Sequence, residues 1–184
     1  MCFSADGARL ATGGQDGRVI VWNACAGFPA HTVMLCPGGA GEVDNLVFLK
    51  DGVRLVCSTW VPTAPIVTPG GLERTCCRAI VEVDTRAGKV LSRLTDMRCH
   101  AISPDERTMA YVEEQGDASQ VLTIADRETG DELHRVDVGV RVSHVALSRG
   151  GGAVAYADSD GDVHLWDLAT GERSMLTPRP QDEA

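Results

Sequence analysis

Hydrophobic and polar residues alternate in short runs along the 184-residue chain. Residues 162–167, for example, read Asp-Val-His-Leu-Trp-Asp, and this period of two sends neighbouring side chains to opposite faces of a strand. Similar runs recur through the last part of the sequence, and Gly, Asp or Ser bounds each of them. The pattern predicts four strands there, near 142–147, 153–157, 163–167 and 173–177, joined as an antiparallel meander.

A pair of apolar residues seven positions apart recurs in four places and brackets a short turn. The pairs are Phe3/Leu10, Phe48/Leu55, Ile102/Met109 and Leu147/Val154. Between them stand Asp-Gly, Pro-Asp or Gly-Gly steps, which supply the positive φ or the preset geometry that a tight hairpin needs. Each pair therefore predicts a hairpin whose flanking apolar residues are buried against the sheet.

A second marker, Asn or Asp followed four positions later by glycine, is in phase with the first. It occurs at Asn23/Gly27, Asp84/Gly88, Asp126/Gly130 and Asp167/Gly171. The spacing corresponds to a unit of about 42 residues with one insertion, a length typical of a four-stranded propeller blade. We therefore predict an all-β propeller of four-stranded antiparallel blades at 1–177, present as an incomplete ring. Its blades are expected at about 1–36, 42–94, 97–137 and 141–177, followed by a flexible C-terminal tail at 178–184.

The second unit carries the insertion, at residues 61–77. This stretch contains three prolines and two glycines, so it is too irregular for a regular ladder and too apolar for a plain linker. We interpret it as an elongated hairpin loop, which either binds a partner or is a tolerated decoration. The first unit begins near the end of its first strand, at Phe3, so we expect further blades of a parent chain, or self-association, to complete the ring.

Composition and charge narrow the functional classes. The chain is 43% hydrophobic and carries a formal net charge of −9, which disfavours binding to nucleic acid and to anionic membranes. It has no apolar run of the ~18 residues that a spanning helix needs, and its N-terminal residues do not resemble a signal peptide. Seven cysteines without a framework spacing indicate reduced thiols. We therefore expect a soluble, cytoplasmic protein.

The first and fourth units resemble WD repeats, the units of a family of β-propellers. Residues 3–23 read Phe-Ser-Ala-Asp-Gly-Ala-Arg-Leu-Ala-Thr-Gly-Gly-Gln-Asp-Gly-Arg-Val-Ile-Val-Trp-Asn, and residues 158–167 read Asp-Ser-Asp-Gly-Asp-Val-His-Leu-Trp-Asp. In that family a Trp on the third strand, a Ser or Thr on the second, an Asp in the turn between them and a His before the first strand form a hydrogen-bonded support inside the blade. The resemblance assigns this structural role to Thr12, Asp16, Trp22, Asp160 and Trp166.

Several positions depart from the family pattern. Tyr156 stands where the fourth unit should offer Ser or Thr, and Val83 and Ala125 replace the Trp of the second and third units. No Gly-His pair precedes a first strand, because His144 lies within a predicted strand and His100 near the end of one. We therefore expect degenerate blades whose supporting bonds are made in other ways.

The resemblance also implies where a partner binds. WD propellers bind proteins through the narrow face ringed by loops, with residues around the start of each first strand and just before the turn Asp. The matching residues are Gln15, Glu42, Asp44, Asp96, Arg98, Arg141, Ser143 and Ser159. This mixed-charge set favours a polar protein partner, selected by electrostatics, over an apolar ligand. The competing interpretation of each residue is an ordinary solvated loop.

No residue pattern points to catalysis. The sequence shows no nucleophile elbow, no phosphate-binding loop and no histidines at metal-ligand spacing. Residues 38–41, Gly-Gly-Ala-Gly, lack the flanking strand and helix of a phosphate loop. The Cys pair at 76–77 and Cys99-His100 do not complete a zinc spacing, and residues 158–162 lack the glutamate that would complete a calcium loop. We predict no metal, no cofactor and no catalytic residue.

These features favour a non-catalytic protein–protein interaction scaffold or adaptor of WD-repeat type, with an unidentified protein partner. The alternative is a regulatory or substrate-gating propeller domain of a larger enzyme, a hydrolase or protein kinase, whose catalytic domain lies outside this chain. The two differ in what precedes the chain in its reading frame, because the first predicts only further blades and the second predicts a catalytic domain.

Overall fold

The computed structural model of the chain contains four antiparallel sheets of four strands each and one two-stranded hairpin among its described residues. The structure describes residues 1–36, 41–43, 45–62, 66–68, 71–73, 76–115 and 119–176, with the backbone alone at 62, 66–68, 71–73, 76, 98–99, 114–115 and 119. Every element in these ranges is a strand, so the prediction of an all-β fold with four blades is confirmed. None of the described residues belongs to a helix with the length and apolar character that a membrane crossing would require.

The chain divides into two compact units, and the first is Met1–Arg98. Blade 1 consists of β1 (Cys2–Phe3), β2 (Arg9–Gly13), β3 (Arg18–Asn23) and β4 (Phe28–Met34). Blade 2 consists of β5 (Leu46–Phe48), β6 (Arg54–Pro62), β9 (Cys76–Asp84) and β10 (Lys89–Thr95), with the small hairpin β7 (Ile66–Thr68) and β8 (Gly71–Glu73) between β6 and β9. In both blades the strands are neighbours in this order, as an antiparallel meander requires.

The second unit is Cys99–Ala184 and has the same architecture. Blade 3 consists of β11 (Met97–Ile102), β12 (Thr108–Gln115), β13 (Ser119–Asp126) and β14 (Glu132–Asp137). Blade 4 consists of β15 (Val142–Leu147), β16 (Ala153–Asp158), β17 (Val163–Asp167) and β18 (Arg173–Met175). These four strands lie within a residue or two of the four that the alternating pattern predicts.

The Asn/Asp-to-Gly marker closes the outermost hairpin of every blade. In blade 1, Asn23 Oδ1 accepts the N–H groups of Cys25 and Ala26, and Gly27 follows with a φ of 71°. Asp84, Asp126 and Asp167 repeat the arrangement with the N–H groups two and three residues further on. A positive φ strains any residue with a Cβ, so the glycine is required at this point of the turn. The N–H donors also hold the pKa of each of the three carboxyl groups below its usual range.

Each unit buries one hydrophobic core between its two sheets. In the first unit, the core residues from the two central strands of each blade are Ala11, Val19, Val21, Leu55, Cys57, Val61, Ala79, Val81 and Val83. In the second unit they are Ala110, Val112, Leu122, Ile124, Val154, Tyr156 and Trp166. In blades 1 to 3 the core positions that share a central strand are two or four residues apart, so alternation along the strands decides which face is buried. Burial raises the pKa of the Cys57 thiol to about 12, which makes it an unreactive core residue.

The insertion in blade 2 extends the ladder further than the sequence predicts. Strands β6 and β9 pair without interruption from Arg54 opposite Asp84 to Pro62 opposite Cys76. The irregular loop was expected to begin at Val61, but Val61 is buried in the core and Cys77 packs against it. Burial of Val61 therefore adds an apolar contact to this end of the ladder.

We expect the core of the second unit to tolerate truncation poorly. Leu122→Ala removes a fully buried side chain of β13, and the free energy of unfolding should fall by roughly 2–4 kcal/mol. Leu133→Ala is the matched control, because Leu133 lies in the same blade and is 48% exposed. Urea unfolding followed by circular dichroism measures both. Equal losses for the two variants would contradict the described register of blade 3.

Candidate functional site

Blade 1 contains a hydrogen-bonded pair at the positions where the WD resemblance expects a support. Trp22 Nε1–H donates to Thr12 Oγ1 at 2.9 Å, and the Thr12 hydroxyl donates in turn to the carbonyl of Ile20 at 3.5 Å. Asp16, the third predicted member, instead accepts the N–H of Arg18 and lies 3.5 Å from the Arg18 Nε. The support in blade 1 is therefore a Thr–Trp pair, and Asp16 shapes its own turn.

Blade 4 uses a different set of residues at the equivalent place. Asp158 ends β16 and is buried, and its Oδ1 accepts the N–H groups of Asp160 at 3.0 Å and Asp162 at 2.9 Å. Its Oδ2 lies 3.0 Å from Nε2 of His164, and the His164 ring stacks on Tyr156 with centroids 4.8 Å apart. An ionised carboxylate only accepts hydrogen bonds, so the Nε2 of His164 carries the proton. This hydrogen bond is the main cause that lowers the pKa of Asp158.

The two residues predicted for the support of blade 4, Asp160 and Trp166, lie in different surroundings. Asp160 is exposed and contributes its backbone N–H, whereas Asp158 supplies the carboxylate. Trp166 is buried and meets His134 of blade 3 edge to face, with ring centroids 5.9 Å apart. Asp158 and Tyr156 are two residues apart on β16, and His164 and Trp166 are two residues apart on β17, so alternation along each strand was a signal for the set. The pairing of Tyr156 with His164 puts all four on the same face of the sheet.

Blades 2 and 3 have aliphatic residues at the Trp position, so they bury no indole N–H there. Val83 and Ala125 occupy the Trp position, and they are 0% and 3% exposed. An aliphatic side chain has no N–H to satisfy, so this position needs no hydrogen-bond partner.

The turn end of the first unit brings together several residues predicted to bind a partner. The N–H of Val43 donates to the carbonyl of Gly14 at 3.1 Å, which fixes the entry to blade 2 against the β2–β3 turn. A Cβ on Gly13 would lie 2.6 Å from Val43 Cγ1, so this close approach requires glycine. Gln15 and Glu42 flank this contact, and both are exposed.

The same end of blade 2 carries an aromatic–cation pair that sequence reasoning missed. The Arg78 guanidinium carbon lies 4.9 Å from the centre of the Trp60 ring, and the two residues are directly opposite in the β6–β9 ladder. Asp96, another predicted contact residue, is exposed and donates its N–H to the Arg78 carbonyl at 2.7 Å. The strand register could have predicted this pair. If Leu55 lies opposite Val83 and the ladder continues, Trp60 lies opposite Arg78.

The turn end of blade 4 holds the predicted residues of the second unit. Arg141 and Ser159 are exposed on either side of the pairing of Val142 with Asp158. The Ser143 hydroxyl lies 3.2 Å from the carbonyls of Ala157 and Asp158, to which it donates. Of the remaining predicted contact residues, Asp44 and the side chain of Arg98 lie outside the described part of the chain.

The histidines and carboxylates show no arrangement for catalysis within the described residues. Ser143 lies 3.2 Å from Nδ1 of its neighbour His144, but carbonyl oxygens compete for its hydroxyl proton, so the serine is not activated as a nucleophile. His100 is buried in β11, and burial lowers its pKa to about 4, so it is neutral near pH 7. Across the described ranges, no three His, Cys, Asp or Glu side chains are grouped closely enough to hold a metal ion.

Comparison with known proteins identifies the repeat. Residues 1–23 match the family described as WD domain, G-beta repeat. This segment contains the Thr12–Trp22 pair, and the strand order of blade 1 recurs in the other three blades. Residues 1–23 therefore match a WD repeat, and the four four-stranded antiparallel sheets are consistent with an all-β, propeller-like fold. A comparison with curated proteins found no match.

We expect Thr12 and Trp22 to be energetically coupled. In a double-mutant cycle with Thr12→Val and Trp22→Phe, the coupling free energy should be about 0.5–1.5 kcal/mol, the net value of one neutral hydrogen bond. The double-mutant cycle cancels the change in unfolding free energy that comes only from the smaller side-chain volume of Trp22→Phe. Unfolding free energies from urea denaturation supply the four corners, and strictly additive losses would show that the pair does not support the blade.

The stability contributed by Asp158 should depend on pH. Its folded-state pKa lies below the ordinary value of 3.8, so the ionised carboxylate stabilises the fold above about pH 4 and ceases to do so as the pH falls through the folded-state pKa. Asp158→Asn should therefore unfold at lower urea than the wild type near neutral pH, and the difference should shrink as the solution is acidified.

The matched control for this measurement is Asp160→Asn in the same turn. Asp160 is exposed and takes part through its backbone N–H, which the substitution keeps. Its urea midpoint should follow the wild type at every pH. A difference between Asp158→Asn and wild type that stays constant down to acid pH would refute the ionic role of Asp158.

Proposed function

We propose that this chain is a non-catalytic protein-interaction scaffold that binds a protein partner through the turn ends of its blades. WD repeats are in general interaction modules without catalytic activity, and this supports the assignment. The observation that carries the proposal is the surface at the turn end of the first unit, which we call the turn-end surface. It consists of Gln15, Glu42, Trp60, Arg78 and Asp96.

The turn-end surface combines exposed polar side chains with a backbone that is already fixed. Gln15, Glu42 and Asp96 are exposed, while the backbone beside each is held by the bonds of Val43 to Gly14 and of Asp96 to Arg78. A surface with a fixed backbone loses little conformational entropy on binding, so more of its contact energy contributes to affinity.

The composition of the surface indicates the kind of partner. Trp and Arg are enriched among the residues that dominate binding energy at protein interfaces, and Trp60 and Arg78 are half-buried side by side. Glu42 and Asp96 add negative charge around them. We infer that the partner presents a basic or mixed-charge surface with a group that contacts the indole, selected by electrostatic complementarity.

Site-specific photo-crosslinking in the source cells tests the proposal. A photoreactive phenylalanine analogue at residue 15 or 42 should form a covalent adduct with one and the same protein. The control position is Ala26, which is exposed in the β3–β4 turn at the opposite end of blade 1. The Trp60→Ala variant should also bind that protein at least tenfold more weakly than the wild type does, a change of about 1.4 kcal/mol in binding free energy.

Two results would overturn the assignment. One is the lack of any adduct from residues 15 and 42 while the protein is folded. The other is an adduct of equal yield from residue 26, because the two ends of the blade would then be equivalent and the turn-end surface would have no special role.

A further inference from the structure

Four Asp–Gly steps occur in the chain, and each lies in the turn between two neighbouring strands of a blade. The steps are Asp6–Gly7, Asp16–Gly17, Asp51–Gly52 and Asp160–Gly161. An Asp–Gly step is prone to isomerise, because glycine has no side chain to hinder attack of its own nitrogen on the preceding carboxyl group. The reacting groups are the same at all four steps, so the surrounding structure decides which step reacts.

Three of the four aspartates are bonded in the same way. Oδ1 of each accepts the N–H group two residues further on. The pairs are Asp6 with Ala8 at 3.0 Å, Asp16 with Arg18 at 3.2 Å and Asp51 with Val53 at 2.8 Å. A carboxylate held by this bond is ionised and fixed in position, whereas isomerisation needs a neutral carboxyl group that is free to rotate onto the glycine nitrogen.

Further donors keep two of these carboxyl groups ionised. The Ser4 hydroxyl donates to Asp6 at 2.6 Å, and this bond is the main cause that holds the pKa of Asp6 below its usual range. At Asp51 desolvation raises the pKa, but the bonds from Arg54 and from the backbone outweigh it and lower the pKa to about 2. Protonation, which isomerisation requires, is therefore less favourable at these two carboxylates than at an ordinary one.

Asp160 lacks the common bond because Asp158 takes its donor. The N–H group two residues after Asp160 belongs to Asp162, and it donates to Oδ1 of Asp158 at 2.9 Å. The Asp160 side chain is exposed, and no described residue donates a hydrogen bond to its carboxylate. This carboxyl group is thus free to rotate and to exchange protons with water.

The attacking nitrogen is also held by a long bond at this step. The Gly161 N–H donates to the Asp158 carbonyl at 3.3 Å. The equivalent bonds at the other three steps are 2.9, 3.4 and 2.9 Å long in chain order, and the step with the 3.4 Å bond has an aspartate that is held by its turn. Among the four described steps, only the one at Asp160 combines a long nitrogen bond with a carboxylate that accepts no bond.

We propose that Asp160–Gly161 is a modification site, at which Asp160 isomerises spontaneously to isoaspartate in the folded protein. The Gly161 nitrogen attacks Cγ of Asp160, and the new N–Cγ bond closes a five-membered succinimide ring. The carboxyl hydroxyl leaves with the N–H proton as water. One water then cleaves the bond between this nitrogen and the main-chain carbonyl carbon of Asp160, so the chain runs through Cγ and the α-carboxylate is free.

Isomerisation at this step changes the support of blade 4. Oδ1 of Asp158 accepts the N–H groups of Asp160 and Asp162, which lie on either side of the reacting bond. Isoaspartate adds one carbon atom to the main chain between them, so the two N–H groups cannot both keep their places on this oxygen. The same carboxylate bonds His164, so a slow chemical change in the turn lowers the stability of the blade. This proposal does not depend on the partner proposed for the turn-end surface.

Peptide mapping of the full chain after prolonged incubation at neutral pH tests the proposal. Liquid chromatography separates isoaspartyl from aspartyl peptides, and electron-transfer fragmentation assigns the modified residue. Isoaspartate should accumulate at residue 160 at least about tenfold faster than at residues 6, 16 and 51, because breaking a hydrogen bond to a charged group slows a reaction by a factor of that order. Faster accumulation at any of the other three residues would overturn the proposal.

The same incubation in guanidinium chloride separates the effect of the fold from that of the sequence. In the unfolded chain the four steps have lost their turn bonds, so they should react at similar rates. A preference for residue 160 that persists unchanged in the unfolded chain would contradict the proposal, because the fold would then not select the site. Isoaspartate that forms at residue 160 only in the unfolded chain would contradict it as well.

Asp160→Glu is the matched variant for the effect on stability. Glutamate keeps the charge at this exposed position, but its cyclic imide would have six members and closes far more slowly. After incubation, a fraction of the wild type equal to its isoaspartate content should unfold at lower urea, while the midpoint of Asp160→Glu stays unchanged. Equal losses in both proteins would show that a change elsewhere in the chain causes them, and would refute the link between residue 160 and blade 4.

Discussion

The alternation of side chains along the central strands is the constraint on which the rest of the structure depends. In each unit, one face of the first sheet and one face of the second sheet share a core of buried residues. A shift of one residue in any strand would exchange the two faces and move this core into solvent. The hairpin glycines, the Asx turns and the continuous ladders all serve to keep the register, which explains why the same turn signal recurs in sequences that otherwise diverge.

The blades meet the polar requirements of this packing in different ways. In blade 1 the half-buried Trp22 donates its indole N–H to the Thr12 hydroxyl. Blade 4 replaces Thr by Tyr156 and adds His164, whose ring stacks on the tyrosine and whose Nε2 is satisfied by Asp158. Blades 2 and 3 place Val83 and Ala125 at the Trp position and need no partner. The aliphatic residues remove the need for a partner at the Trp position alone, since the Thr123 hydroxyl of blade 3 is buried without a hydrogen-bond partner among the described residues.

The sequence predicted those features that local chemistry decides. Strand positions in blade 4 follow from alternation, and the outermost hairpins follow from Asn23, Asp84, Asp126 and Asp167, whose side chains make the expected bonds to the backbone. The choice of Asp158 over Asp160 was not predictable from the turn alone, because several carboxylates stand within five residues and three-dimensional closeness to His164 selects one. The continuation of the β6–β9 ladder was missed for a similar reason, since burial of Val61 outweighs the local signal of a proline-rich segment.

The proposed binding surface lies outside the hydrophobic cores. Sheet faces bury one another, while turns and connections at one end of the blades remain exposed on a rigid backbone. The central claim is that the two sheets of each unit pack face to face in a fixed register. Nuclear Overhauser effects in the isotopically labelled chain test this claim most directly. The indole protons of Trp166 should show cross-peaks to methyl groups of Leu122 or Ile124 and to the His134 ring in blade 3. An indole with cross-peaks only to residues of its own sheet would contradict the claim.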